Sequence, residues 1–185
     1  MLIRQKVHLW KLKRRKINIE GCIYGTPDFA VGTLKELIDN QYDVVAVVTQ
    51  PDKPKGRSKE LVFSPVKEEA VKNNIQVLQP ERARDEAFVE ELRKYNADVF
   101  VVVAFGQLLP KSIIDMPRLG CINVHASLLP KYRGASPIQW AVIDGCEYSG
   151  VTTMKMDEGL DTGDILLVDK VKLDKKETGG SFLTD

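Results

Sequence analysis

The chain has 185 residues, with 27 Lys or Arg against 26 Asp or Glu, a formal net charge of +1, 43% hydrophobic and 29% charged residues. That balance excludes a disordered or fibrous protein, and the near-neutral charge gives no general attraction for polyanions. The length suits a single hydrophobic core, so one domain is expected, and any nucleic-acid contact has to come from a local patch.

Residues 1–16, "MLIRQKVHLWKLKRRK", form a basic opening without an acidic residue and are expected to be a solvated arm. From residue 17 short apolar runs alternate with amphipathic stretches. "INIEGCIY" predicts a strand, weakened where Glu20 and Gly21 interrupt the apolar run. In "GTPDFAVGTLKELIDN" a helix is predicted with Thr26 as its cap, Pro27 in the first turn and Asp28 at the positive helix end. "YDVVAVVTQ" is apolar on both faces, as a strand in a covered parallel sheet should be. A loop rich in proline and lysine follows; Ser64-Pro65 then opens a helix, and "IQVLQP" is a short strand. "DEAFVEELRKYN" puts Phe88, Leu92 and Tyr95 on one helical face, and "ADVFVVVAFG" reads as the most buried strand. "CINVHAS" is the next strand, Ser136-Pro137 caps the helix "IQWAVIDG", and Gly145 stops it. Two strand-like runs, "YSGVTTMKM" and "DILLVDKVKL", flank the polar loop "DEGLDTG". The order β-α-β-α-β-α-β-α-β-β implies an α/β fold with a Rossmann-like open, mostly parallel sheet and helices on both faces. After "KKETGG", the residues "SFLTD" resemble the first turn of a further helix, so a truncated longer protein is expected.

Three cysteines, Cys22, Cys121 and Cys146, are odd in number and lack C-x-x-C spacing, which suits reduced thiols in a cytoplasmic protein. No apolar run approaches the roughly 20 residues of a membrane span, so no membrane association is expected. No G-x-G-x-x-G follows the first strand, which argues against a dinucleotide cofactor, and no side chains have metal-ligand spacing.

The chemistry concentrates in "INVHASLLPKYRGASPIQWAV". Side chains two apart in a strand share a face, so Asn123 and His125 project together, and ligands of open parallel sheets bind beyond the carboxyl ends of strands. Asn can donate a hydrogen bond to a developing oxyanion, and His can hold or pass a proton near neutral pH. A carboxylate from "DEGLDTGD" would complete the set; spacing alone does not choose among Asp157, Asp161 and Asp164.

"NVHASLLPKYRGASPIQWAVIDG" followed by "GVTTMKMDEGLDTGDIL" resembles the signature of the 10-formyltetrahydrofolate-dependent formyltransferases, from about residue 22 to the end. Within that family it is most similar to the catalytic domain of the members that formylate initiator methionyl-tRNA. The resemblance implies a catalytic trio of Asn123, His125 and Asp161 in a domain spanning 17–185. It implies that 10-formyltetrahydrofolate serves as formyl donor without a metal. It also implies a folate-contacting set of Phe105, Gly106, Gln107, Leu108, Leu109 and Ile114, together with Ser127, Leu128, Leu129 and Pro130.

The acceptor has to be read from outside the trio. "GTPDFAVGTL" lacks the glycine- and serine-rich phosphate turn that members acting on glycinamide ribonucleotide have in that place. "TQPDKPKGRSKELVFSPVK" carries Lys53, Lys55, Arg57 and Lys59, which suits phosphate contacts and resembles the insertion with which the tRNA-directed members hold the acceptor stem. The expected partners are initiator methionyl-tRNA and folate, bound by a monomer. Two other readings stay open: action on a nucleotide-linked amino sugar, and a folate- or tRNA-binding fragment without turnover. Tandem architecture in the tRNA-directed members includes a later β-barrel domain, which this chain is expected to lack.

Overall fold

The computed structural model describes residues 18–55 and 60–173. They form two compact units, divided after Cys121.

In chain order the first unit carries β1 (Glu20–Gly25), α1 (Asp28–Asp39), β2 (Asp43–Val48), the short β3 (Lys53–Lys55) and β4 (Glu60–Val62), α2 (Pro65–Lys72), β5 (Val77–Leu78), α3 (Glu86–Arg93), β6 (Val99–Val103) and the one-turn α4 (Lys111–Ile114). Four strands pair in the order β5-β2-β1-β6, all parallel, which is the arrangement that strand-helix alternation requires. Ile23, Val47, Val48 and Val103 are fully buried in these strands. Each such side chain contributes roughly 1.5–3 kcal/mol by leaving water. Tyr24 lies edge-on to Phe105 at 5.3 Å and tilted against Phe100 at 5.4 Å, which joins β1 to β6 through aromatic contacts. The weak point expected at the start of β1 is a register shift between Gly21 and Cys22, which pair with Val44 and Ala46 and leave Val45 of β2 as the extra residue.

Several local expectations need correction. Thr26 does not cap α1; Pro27 occupies the cap position, and the Thr26 hydroxyl instead donates to the Phe105 carbonyl at 3.2 Å. The hydroxyl oxygen, which a cap would turn to the helix N–H groups, accepts from the Gln50 N–H at 3.4 Å. Ser64 does cap α2, accepting from the Lys67 backbone N–H at 3.2 Å. Tyr95 falls beyond the end of α3, whose buried residues are Phe88, Val89 and Leu92. The stretch expected to be an unstructured loop holds the β3–β4 hairpin, with Lys53 opposite Val62 and Lys55 opposite Glu60. Cys22 and Cys121 are buried and unpaired, and burial pushes the Cys121 thiol up to about 12 and that of Cys22 higher.

The second unit carries β7 (Cys121–His125), α5 (Pro137–Ile143), β8 (Tyr148–Lys155) and β9 (Ile165–Lys172). β7 pairs antiparallel with β8, placing Asn123 opposite Met154 and His125 opposite Thr152, and β8 pairs antiparallel with β9. Ser136 precedes α5 in the left-handed region (φ 59°) and makes no side-chain cap bond, contrary to the expected cap. Its backbone carbonyl accepts from the Trp140 N–H instead. Gly145, at φ 61°, ends this helix as anticipated, its N–H bonding to the Val142 carbonyl. No helix among the described residues is long and apolar enough to cross a membrane.

Candidate active site

Strand alternation in β7 puts Asn123 and His125 on one side with the apolar Val124 between them. All three are buried. Asp161, from the loop between β8 and β9, reaches both polar side chains. Its Oδ1 accepts from Asn123 Nδ2 at 3.0 Å, and its Oδ2 lies 3.5 Å from His125 Nδ1. The carboxylate is only 11% exposed and the imidazole 8%, so water screens this charge poorly. Of the three carboxylates that spacing left open, Asp161 is the one placed against both Asn123 and His125.

Two backbone groups complete the cluster. The Gly134 N–H donates to Asp161 Oδ2 at 2.7 Å, so both carboxylate oxygens have a donor. His125 Nε2 lies 2.8 Å from the Tyr132 carbonyl. A carbonyl only accepts, so Nε2 carries a proton and Nδ1 is the ring nitrogen facing the carboxylate. Asp161 itself sits at φ 51°, Tyr132 at 55° and Gly134 at 83°, three left-handed positions in the residues that build the site. Asp tolerates this region better than most residues, whereas Tyr there stores strain. At Gly134 a Cβ would lie 3.3 Å from Leu160 Cδ2 as well as in the disfavoured region, so glycine suits this turn on both counts.

Tyr132 is held from its other end too. Its hydroxyl donates to Asp144 Oδ2 at 2.7 Å and contacts Cys146 Sγ at 3.1 Å. The phenol has one proton, so the thiol is the donor in the second contact, and the bonds to Cys146 and Asp144 push the phenol's pKa up. Behind the turn, Thr152 Oγ1 donates to the Ser127 carbonyl at 2.7 Å and accepts from the Leu129 N–H at 3.2 Å. Ser127 Oγ donates to the Lys131 carbonyl at 2.6 Å. Ser127 is therefore fully buried and structural in its own hydrogen bonds, Leu129 is buried, Leu128 half-buried and Pro130 exposed.

The remaining expected residues belong to the first unit. Phe105 and Ile114 are buried, Gln107 and Leu109 half-buried, Gly106 exposed, and Leu108 is 83% exposed. Gln107 braces its loop, accepting from the Ala83 N–H at 2.7 Å and donating to the Glu81 carbonyl at 3.2 Å. Lys53 is exposed on β3. Lys55 occupies the last position of that strand, while Arg57 and Lys59 lie outside the described residues. No group of three His, Cys, Asp or Glu side chains suited to a metal ion occurs among the described residues.

The family model described as formyl transferase matches residues 17–184. The chain belongs to the formyl transferase family. Over 158 residues it is 86% identical to a methionyl-tRNA formyltransferase of Lachnospira eligens, covering 85% of this chain and 50% of that protein. A methionyl-tRNA formyltransferase of Clostridioides difficile is 62% identical over the same share of this chain and 51% of its own. The chain thus spans about half the length of the curated relatives it matches. Among solved structures, phosphoribosylglycinamide formyltransferase from Bacillus halodurans aligns with a TM-score of 0.72 at 21% identity, covering 88% of this chain and 84% of that one. A likeness at that identity shows the fold, and the fold is the open, mostly parallel α/β class expected from the order of elements.

The backbone contributions of Tyr132 and Gly134 were not identified from the sequence. The turn "PKYRG" was visible as a turn, but a carbonyl or an N–H is common to nearly every residue and leaves no signature of its aim.

Proposed function

We propose that this chain carries the chemistry of formyl transfer from 10-formyltetrahydrofolate to the amino group of initiator methionyl-tRNA. The observation that carries the reading is the buried cluster of Asn123, His125 and Asp161, joined through the carboxylate. The two relatives named above are methionyl-tRNA formyltransferases, and their identity over 85% of the chain supports the choice of acceptor.

In this reaction the amine nitrogen attacks the formyl carbon, a C–N bond forms and the carbonyl oxygen becomes an oxyanion. The attacking nitrogen then loses a proton, the bond to N10 of the folate breaks, and N10 leaves with a proton. Asn123 has an N–H beyond the one given to Asp161, and the oxyanion is its natural acceptor. His125 Nε2 is committed to the Tyr132 carbonyl, so proton traffic runs through Nδ1. The Asp161 carboxylate stabilises a protonated ring there, and its bonds from Asn123 and Gly134 hold it in place. A donor aimed at a developing oxyanion is worth on the order of 10²–10³ in rate, and a positioned acid-base group about 10²–10⁴.

For the folate, the exposed Gly106 and Leu108 supply backbone and apolar contacts in the first unit, with Phe105, Gln107, Leu109 and Ile114 supporting their loop. Of the run Ser127, Leu128, Leu129 and Pro130, Leu128 and Pro130 are the accessible residues for a folate contact, and the buried Ser127 and Leu129 hold the turn. For the tRNA, the basic residues Lys53, Lys55, Arg57 and Lys59 of the proline- and lysine-rich segment are the proposed phosphate contacts. We place the catalytic domain at residues 17–185, following a basic arm at 1–16, and expect a cytoplasmic monomer.

The test is acceptor choice under one set of conditions. Initiator methionyl-tRNA, glycinamide ribonucleotide and a nucleotide-linked amino sugar are offered in turn with labelled 10-formyltetrahydrofolate. Label on the tRNA supports the reading, and preferential transfer to either small acceptor refutes it.

A further inference from the structure

The hairpin is anchored at both ends by one side chain. Asp52 immediately precedes β3 and Phe63 immediately follows β4. Lys67, in the first turn of α2, bonds Asp52 Oδ2, donates to Gln79 Oε1 at 2.8 Å, and holds its ammonium 3.9 Å from the centre of the Phe63 ring. Gln79 in turn donates to Asp52 Oδ1 at 2.8 Å and to the Gln50 carbonyl at 3.0 Å, so both oxygens of Asp52 are satisfied. The Lys67 backbone is itself fixed, because its N–H caps onto Ser64 Oγ, and Ser64 Oγ lies 2.8 Å from Thr49 Oγ1 at the end of β2.

The burial of the pair makes this more than a surface ion pair. Lys67 and Asp52 side chains are 14% and 16% exposed, and Asp52 is held below the usual carboxylate range: the cost of burying it is outweighed by the bonds from Lys67 and Gln79 and by the Lys67 charge. An ammonium has three N–H groups, and Lys67 directs them at a carboxylate, an amide oxygen and an aromatic face. Little of its capacity is left for a phosphate. The basic residues of the neighbouring hairpin are differently placed: Lys53 is exposed, on a strand held by only three residue pairs. A hairpin so short is marginal by itself, so its alignment depends on how its ends are held.

We infer that Lys67 is a positioning residue that clasps the two ends of the β3–β4 hairpin and thereby sets affinity for the tRNA acceptor, without touching the acceptor itself. The affinity half rests on the hairpin being the tRNA contact, as proposed above. If the clasp is lost, the hairpin has to be aligned at the expense of binding, and apparent affinity falls by the fraction of molecules still aligned.

Three variants of the full 185-residue chain separate the possibilities, read by amide hydrogen exchange at Lys53, Lys55 and Glu60–Val62 and by the dissociation constant for initiator methionyl-tRNA over a range of salt. Lys67→Met keeps the stem and removes the charge. It should speed exchange in the hairpin and raise the dissociation constant about tenfold, with the salt slope unchanged. Asp52→Ala should do the same, although removing an acid from a basic loop would by electrostatics alone tighten RNA binding. Lys53→Ala/Lys55→Ala, in contrast, should weaken binding and flatten the salt slope, since these are taken as phosphate contacts. Unchanged exchange in Lys67→Met and Asp52→Ala would overturn the clasp. A salt slope reduced by about one in Lys67→Met, with Asp52→Ala binding tighter, would overturn it in favour of a direct phosphate contact. Faster exchange with no loss of affinity in either Lys67→Met or the double lysine variant would overturn the hairpin as the acceptor contact while leaving the clasp.

Discussion

Replacing Asp161 by Asn changes a charge with almost no change of shape, and the structure sets the size of the consequence. The carboxylate accepts from Asn123 Nδ2 and from the Gly134 N–H, and its Oδ2 faces His125 Nδ1. Each of the two accepted bonds is charge-assisted and drops from roughly 1.5–3 kcal/mol to about 1 when the acceptor is neutral. The new amide also presents N–H groups to at least one side that already offers a donor. At 11% exposure there is little water to take over, so Asp161→Asn should cost about 2 kcal/mol in urea unfolding. Turnover should suffer more, because a protonated His125 loses the group that steadies it. Single-turnover formyl transfer is expected to slow by about 10²–10⁴, and His125→Ala/Asp161→Asn should be scarcely slower than His125→Ala alone. A rate within about threefold of the parent, with unfolding unchanged, would mean that the carboxylate neither supports the fold here nor serves the imidazole.

Other expectations concern the frame that carries the site. Phe100→Ala removes a ring that is 1% exposed and packed against Tyr24, and should lower stability by about 3–5 kcal/mol in chemical unfolding; a loss under about 1 kcal/mol would show that the β1–β6 contact is not close-packed. At Gly25 an added Cβ would stand 2.5 Å from Ala30 Cβ and 3.2 Å from the Val103 carbonyl, so Gly25→Ala should cost about 1–3 kcal/mol by pushing α1 off the end of β1. Equal melting temperatures for parent and variant would contradict that. The bond from Arg118, then the Glu20 N–H, holds the Asp98 carboxyl below its ordinary range. A carboxyl depressed in the folded state adds stability that is complete above its unfolded value of about 3.9 and is lost as pH falls through the lower folded value. The stability gap between parent and Asp98→Asn should therefore be widest above about pH 5 and shrink below about pH 4, and a gap independent of pH would refute the assignment.

How much of this was legible beforehand follows from what each signal depends on. The parallel strands were readable because Val44, Val45, Val47 and Val48, or Val101, Val102 and Val103, are apolar on consecutive positions, which only a sheet covered on both faces rewards. Asn123 and His125 were readable as a pair because strand geometry has a period of two, and period needs no tertiary knowledge. Asp161 was not separable from Asp157 or Asp164 by spacing; a left-handed residue in a loop aims its carboxylate where no periodicity points, and only the family resemblance chose it. The failed caps have a common cause: the Thr26 hydroxyl accepts from the distant Gln50 N–H and donates to the Phe105 carbonyl, and Ser136 took a left-handed backbone, both outcomes that override local preference. The β3–β4 hairpin escaped notice because Pro54 and alternating lysines read as a loop, and its ends are held by Lys67, a residue of the next helix.

The most direct test of the account is transfer of labelled formyl from 10-formyltetrahydrofolate to methionyl initiator tRNA by the chain and by its Asn123→Ala and His125→Ala variants. The account predicts label on the amino group of the methionine with the parent chain, and losses of at least about 10² in rate for each variant. Transfer at parental rates in both variants would contradict it, since the chemistry would then lie outside the cluster that β7 and Asp161 build.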